Sequence, residues 1–166
     1  MKNFFKGFFS NPKKEEPAVD NSVLLSAISL MIEVSLADEI MDVSELETLK
    51  NVLLGEFDVE ETDLENLISD AKKNQNSSTS LYEFTRKIND EYEFDDKKNL
   101  ILSMRKIAYA DGNIDKYEEY VIRKVSDLIY ISHPDFIESK QQARGEYENR
   151  KTWVSWSLIR KIKRFR

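Results

Sequence analysis

Acidic residues recur at the same spacing in two short stretches of the sequence. Residues 37–45 are Ala-Asp-Glu-Ile-Met-Asp-Val-Ser-Glu, and residues 110–118 are Ala-Asp-Gly-Asn-Ile-Asp-Lys-Tyr-Glu. We call these stretches the first and second acidic corners. At an offset of 73 residues, the acids in register are Asp38, Asp42, Glu45, Asp111, Asp115 and Glu118. Ca²⁺ and Mg²⁺ prefer carboxylate oxygens as ligands, so two corners lying side by side would form a divalent-cation site.

Helix capping explains four of these acids without a cation. The second and third acids of each corner are three residues apart, which is the spacing of a capping box at the start of a helix. Asp38 and Asp111 differ, because each is predicted in the last turn of a helix, where the dipole disfavours a carboxylate. They need either the N-terminus of a neighbouring helix or a cation, and so they carry the prediction of a metal site.

The second corner also contains the first ligand positions of an EF-hand loop, with Asp111, Asn113 and Asp115 in alternation. An EF-hand then requires glycine at its sixth position and glutamate at its twelfth. Lys116 and Ile122 occupy those positions. The EF-hand interpretation is therefore rejected.

The composition gives catalysis little support. The chain of 166 residues has one histidine and no cysteine, which removes thiol nucleophiles, thiolate metal sites and most nucleophile–base pairs. It has no glycine-rich phosphate loop, and capping explains its paired carboxylates. We therefore expect that the protein is not an enzyme. The lack of cysteine fits a reducing cytoplasm, and no apolar run approaches the ~18 residues of a membrane span.

Hydrophobic residues recur at helical spacing throughout the chain, and no segment has the alternation of a strand. Glycine and proline are scarce, which also favours helix. The sequence predicts an all-α bundle of about seven helices, with an internally duplicated helix-corner-helix unit and with helices one and five as core partners. The predicted helices cover about residues 24–37, 43–56, 62–73, a segment from 81, 95–110, 116–131 and a segment from 133.

Charge is distributed unevenly along the chain. Residues 1–14 carry four lysines and residues 150–166 carry seven cations, with no acid in either segment, which leaves −17 for residues 15–149. The predicted organisation is a basic, phenylalanine-rich arm and linker (1–19), a helical domain (20–149) and a basic tail (150–166).

Both basic ends contain aromatic residues, and we predict that they bind a partner or a membrane. The tail is predicted to form a basic amphipathic helix suited to an anionic membrane surface or to a groove on a protein. Packing of the tail on the acidic body is the alternative, and nucleic acid ranks third because the body would repel phosphates. The candidate residues are Trp153, Trp156, Arg160, Lys161, Lys163, Arg164, Phe4, Phe5, Phe8 and Phe9.

The second corner resembles the tellurite-resistance TerB-like family. The segments Ile-Ser-His-Pro-Asp-Phe-Ile (131–137) and Ala-Arg-Gly-Glu (143–146) also resemble its bacterial members, and the likeness covers about residues 22–148. The resemblance implies a helical bundle, a divalent-cation site at the acidic residues and a role in stress-response or membrane-linked assemblies. It does not imply an enzymatic reaction.

His133-Pro134-Asp135 is also the signature tripeptide of J-domain co-chaperones. Here the flanking residues lack the basic character of that loop, and a helix start explains the tripeptide: Ser132 or His133 caps, Pro134 takes the first helical position, and Asp135 favours the positive end of the dipole. The co-chaperone remains a minor alternative.

The sequence thus predicts a non-enzymatic, TerB-like adaptor in the cytoplasm, peripheral on the inner face of the membrane. It would bind Ca²⁺, Mg²⁺ or Mn²⁺ at the acidic corners, and a protein partner or an anionic membrane through its basic ends. No small-molecule substrate is implied. The main alternative is a protein-interaction module that needs no metal.

Overall fold

Seven α-helices form all the regular structure in the described part of the chain, so the all-α prediction is confirmed. The computed structural model describes the backbone of residues 21–36, 41–77 and 81–164, and their side chains except at 75–77, 155–159 and 161–164. The helices are α1 (Ser22–Ser35), α2 (Val43–Glu56), α3 (Glu61–Ser77), α4 (Leu81–Glu91), α5 (Phe94–Ala108), α6 (Lys116–Leu128) and α7 (His133–Arg164).

The last helix is much longer than the sequence pattern indicates. α7 runs without a break for 32 residues, or about 48 Å at ~1.5 Å per residue. Residues 150–164 of the predicted basic tail are therefore the distal part of α7 and not a separate helix. The duplication of the helix-corner-helix unit remains a prediction.

α1 is the central helix, packing against α3, α4, α5 and α6. Most of its apolar residues, including Ile28, Met31 and Val34, are fully buried. Ser26 and Ser29 are also buried, but their hydroxyls donate to backbone carbonyls four residues earlier at 2.8 and 2.7 Å, so their polar groups are satisfied inside the core. The predicted partnership of the first and fifth helices is confirmed, because α1 and α5 pack together.

Arg105 of α5 is a cation with no solvent exposure. Its Nη1 donates to Glu119 Oε2 of α6 at 2.8 Å, and its Nε donates to Ser139 Oγ of α7 at 2.9 Å. The guanidinium carbon lies 4.3 Å from the centre of the Phe136 ring. Since a guanidinium stays protonated in proteins, these contacts tie α6 and α7 to α5 around a permanent buried charge.

A second, half-buried cation joins α5 to α2 and again to α7. Lys106 Nζ lies 2.7 Å from Glu56 Oε1 of α2 and 2.9 Å from Glu146 Oε2 of α7. Burial alone would lower the pKa of Lys106, but hydrogen bonds to the two carboxylates outweigh it and raise that pKa. The neighbouring cations of α5 therefore hold α2, α6 and α7 in place.

Replacing Glu119 with glutamine should destabilise the fold by about 3 kcal/mol, because the buried Arg105 charge loses its carboxylate partner. Burial would raise the pKa of Glu119, yet the bond from Arg105 and the charges of Arg105 and Lys140 lower it below its ordinary 4.5. This stabilisation is therefore complete above about pH 4.5 and is lost as pH falls through the folded-state pKa.

Urea unfolding at neutral pH and at about pH 3.5 measures both effects. Glu138→Gln is the matched control, because Glu138 is exposed and its pair with Lys98 lies at the surface, where such pairs contribute about 0–1 kcal/mol. If Glu119→Gln resembles Glu138→Gln, the central role of the buried pair is wrong.

Candidate functional site

The second acidic corner is a tight connection between α5 and α6. The amides of Tyr109 and Ala110 close the last turn of α5 on the carbonyls of Arg105 and Ile107, at 2.8 and 3.0 Å. Gly112 then takes a φ of +99°, a backbone conformation that favours glycine. The chain thereby reverses within seven residues and starts α6 at Lys116.

Asp111 does not lie in the last turn of α5, so this part of the sequence interpretation is wrong. The helix ends at Ala108, and Asp111 is exposed in the turn that follows. Its Oδ1 accepts a hydrogen bond from the backbone amide of Asn113 at 2.9 Å. A local turn therefore holds Asp111 without a cation, and the argument from the helix dipole does not apply to it. Asp38 lies outside the described residues.

The predicted capping boxes are confirmed at both corners. Asp42 Oδ1 accepts from the amide of Glu45 at 2.8 Å, and Glu45 Oε2 accepts from the amide of Asp42 at 2.8 Å. The bond from the Ser44 hydroxyl, followed by the bond from the Glu45 amide, lowers the pKa of Asp42.

The second corner uses the same arrangement at the start of α6. Asp115 Oδ1 accepts from the amide of Tyr117 at 2.7 Å, and Glu118 Oε2 accepts from the amide of Asp115 at 2.7 Å. Glu118 and its counterpart Glu45 are both buried. Each corner therefore holds a pair of carboxylates by the backbone amides at a helix N-terminus.

The structure brings the predicted ligands together in pairs, within each corner. In the ranges 21–36, 41–74 and 81–154, no group of three or more His, Asp and Glu side chains has the arrangement of a metal site. Asp111 and Asp115 are exposed, and their carboxylate oxygens accept local backbone hydrogen bonds. These oxygens suit a hard cation in their chemistry. The six-residue cation site, which includes Asp38, remains a prediction.

Tyr147 of α7 packs against the second corner, a contact that the sequence pattern did not indicate. A Cβ at Gly112 would lie only 2.6 Å from Tyr147 Oη. The Tyr147 ring also meets the Tyr109 ring edge-on, with the centres 5.6 Å apart. The corner is thus held against α7 at the point where α7 leaves the body of the protein.

The tripeptide His133-Pro134-Asp135 begins α7. The helix starts at His133, so Ser132 is the capping residue and Pro134 takes the second helical position, not the first. The Ser132 hydroxyl donates to Asp135, and the Asp135 amide donates back to it at 3.3 Å. The hydrogen bond from Lys98 has the largest effect on the pKa of Asp135 and lowers it, and the hydrogen bond from Ser132 lowers it further. Helix capping thus accounts for the tripeptide, while the co-chaperone alternative is untested.

Beyond Tyr147, α7 projects from the body. All residues from 148 to 154 are exposed. Because these residues make about two helical turns, every side of the helix is exposed there. Trp153 is 73% exposed and Val154 50%. We call residues 148–164 the distal helix. The alternative in which the tail packs on the acidic body is not observed for residues 148–154.

The other predicted binding residues belong to the distal helix or to the N-terminal arm. Arg160 is exposed on the distal helix. The helix also includes Trp156, Lys161, Lys163 and Arg164, whose side chains are not among those that the structure describes. The phenylalanines at positions 4, 5, 8 and 9 lie outside the described residues. Within the described ranges, none of the helices combines the length and the hydropathy needed to cross a bilayer.

One comparison with known proteins agrees with the resemblance of the second corner. The family model for tellurite resistance protein TerB matches residues 24–141, which is most of the chain. Searches of curated proteins and of solved structures gave no match.

Two glycine substitutions should change stability in opposite directions. Gly112→Ala should destabilise by about 1–2 kcal/mol, because alanine is strained at this φ and its Cβ meets Tyr147. Gly145→Ala should stabilise by up to about 1 kcal/mol, because Gly145 lies within α7 and a Cβ there has open space.

Thermal and urea unfolding measure both changes. Tyr147→Phe in the Gly112→Ala background should recover part of the loss by removing the nearest atom, while the backbone strain persists. A Gly112→Ala protein as stable as the wild type would show that Tyr147 does not hold the corner.

Proposed function

The chain belongs to the TerB family, and we propose that it is a non-enzymatic adaptor that attaches to an anionic membrane surface through the distal helix. TerB is not a known enzyme family. The description of the family as tellurite resistance proteins supports a place for this adaptor in a stress-response assembly.

One observation carries this proposal: the exposure of α7 around its whole circumference from residue 148 to residue 154. A helix that served only the fold would bury one face against the body. Here the helix continues away from the body to Arg164 and exposes Trp153. Its surface is therefore available to a partner outside the domain.

The charge of this segment favours an anionic surface. Residues 150–166 contain seven cations and no acid. Each Lys or Arg near an anionic bilayer contributes about 1 kcal/mol, so the segment offers several kcal/mol at most. Exposed tryptophan favours the headgroup layer, where its ring is apolar and its N–H is solvated. Stable attachment generally needs two signals, and the phenylalanine-rich arm at residues 1–19 is our candidate for the other.

Co-sedimentation with vesicles tests the proposal. The intact protein should bind phosphatidylserine-containing vesicles at low salt and not neutral phosphatidylcholine vesicles, and added salt should weaken binding through screening. Deleting residues 150–166 should abolish binding. A full-length variant with Arg150, Lys151 and Arg160 changed to glutamine separates the contribution of charge from that of the tryptophans. If the intact protein does not bind anionic vesicles at low salt, the membrane proposal fails.

A divalent cation at the acidic corners is the second proposed activity. The support is chemical: Asp111 and Asp115 are exposed carboxylates on one corner, and the family resemblance implies such a site. A cation that binds only the folded state raises the melting temperature.

Melting curves with Ca²⁺, Mg²⁺ and Mn²⁺ test this activity. The wild type should show a larger upward shift than Asp111→Asn. Asp63→Asn, which removes an exposed acid from the first turn of α3, should retain the wild-type shift. No shift in any protein, or equal shifts in all three, would favour the metal-independent adaptor.

A further inference from the structure

The outward side of α6 carries cations and aromatic rings together. Lys116, Tyr117, Tyr120, Arg123 and Lys124 are all exposed, and we call this set the α6 face. The opposite side of the helix is buried and includes Ile122 and Val125. The arrangement follows from the helical period, which places residues three and four apart on one side.

Each cation of the α6 face lies over an aromatic ring. Lys116 Nζ is 5.0 Å from the centre of the Tyr117 ring, and Lys124 Nζ is 6.0 Å from that of Tyr120. The Arg123 guanidinium is 4.4 Å from the centre of the Phe136 ring. None of the three forms an ion pair with a described carboxylate, although Asp127 lies on the same side of the helix. The cations thus lie beside rings and outside direct ion pairs with the described carboxylates.

This arrangement is unusual for the body of the protein, where residues 15–149 carry a net charge of −17. Elsewhere, Lys50 pairs with Glu65, and Lys106 is paired with carboxylates from two helices. Other lysines without a described carboxylate partner, such as Lys72 and Lys87, lie singly on α3 and α4. The α6 face concentrates three such cations within nine residues.

The α6 face lies beside the helix that carries the proposed membrane contact. Glu119 Oε1 of α6 lies 3.5 Å from Lys140 Nζ of α7. Arg123, one turn after Glu119, contacts the ring of Phe136, which lies one turn before Lys140. The two helices therefore run antiparallel where these side chains meet. The N-terminal end of α6 points toward the distal helix, in agreement with the packing of Gly112 on Tyr147.

We propose that the α6 face is a second contact with the same anionic lipid bilayer and sets the orientation of the domain on it. This inference rests on the proposed function of the distal helix. One plane can touch two neighbouring antiparallel helices along their outward sides. The cations match the negative charge of the bilayer, and tyrosine rings suit its headgroup layer, which has apolar and hydrated zones.

Matched pairs of lysine substitutions in the full-length protein test this contact. Lys116→Gln with Lys124→Gln should weaken binding to phosphatidylserine-containing vesicles by up to about thirtyfold. Lys72→Gln with Lys87→Gln removes the same charge from exposed helical positions elsewhere and should change binding less than about twofold. Lys116→Arg with Lys124→Arg keeps the charge and should bind like the wild type. Melting temperatures show whether each variant is folded.

A fluorescence measurement tests directly whether the α6 face contacts the bilayer. Tyr120→Trp in a background with Trp153→Phe and Trp156→Phe should show a blue shift with anionic vesicles and none with neutral vesicles. This readout does not depend on the stability of the lysine variants. An unshifted spectrum while the protein is bound would overturn the contact.

The outcomes separate this inference from the function on which it rests. If the wild type does not bind anionic vesicles, both fail. If deletion of residues 150–166 abolishes binding but the two glutamine pairs are equivalent, only the α6 contact is wrong. If the protein self-associates without vesicles and Lys116→Gln with Lys124→Gln prevents this, the face binds a second copy, and its assignment to lipid is overturned.

Discussion

The buried guanidinium of Arg105 determines how α7 sits on the rest of the protein. Because this charge cannot be neutralised by deprotonation, the surrounding core must supply its partners, and they come from Glu119 on α6 and from Ser139 and Phe136 on α7. Displacing either helix would leave a buried cation without its partners, which is strongly unfavourable. The direction in which α7 leaves the body therefore depends on specific polar contacts as well as on apolar packing.

Local signals in the sequence were sufficient to predict most of the fold. Capping spacing correctly placed the starts of α2 and α6, and Ser132 with Pro134 marked the start of α7 within one residue. The ends of helices were harder, because they depend on tertiary contacts: α5 stops at Ala108, where the chain turns through Gly112 against Tyr147. The role of Arg105 was also missed, since a cation within a mostly apolar helix does not reveal which distant acid will meet it.

Charge segregation restricts how this protein can approach an anionic surface. The acidic body is repelled, so attachment must use a small basic area and keep the remaining acids beyond the reach of the interaction, which is ~8 Å at physiological salt. The distal helix meets part of this requirement because its 17 residues extend about 25 Å along the axis of α7, although the acids of the second corner stay close to its base. A flexible tail with the same charge would leave the orientation of the body undefined, whereas a rigid helix transmits it.

The second corner links the two proposed activities. Its turn packs on Tyr147, immediately before the distal helix, so the carboxylates of Asp111 and Asp115 are near the proposed membrane contact. Beside an anionic bilayer these acids oppose binding. A divalent cation held by them would remove that repulsion and raise the affinity for lipid. By thermodynamic reciprocity, the bilayer would raise the affinity for the cation by the same factor, so the two affinities would increase together.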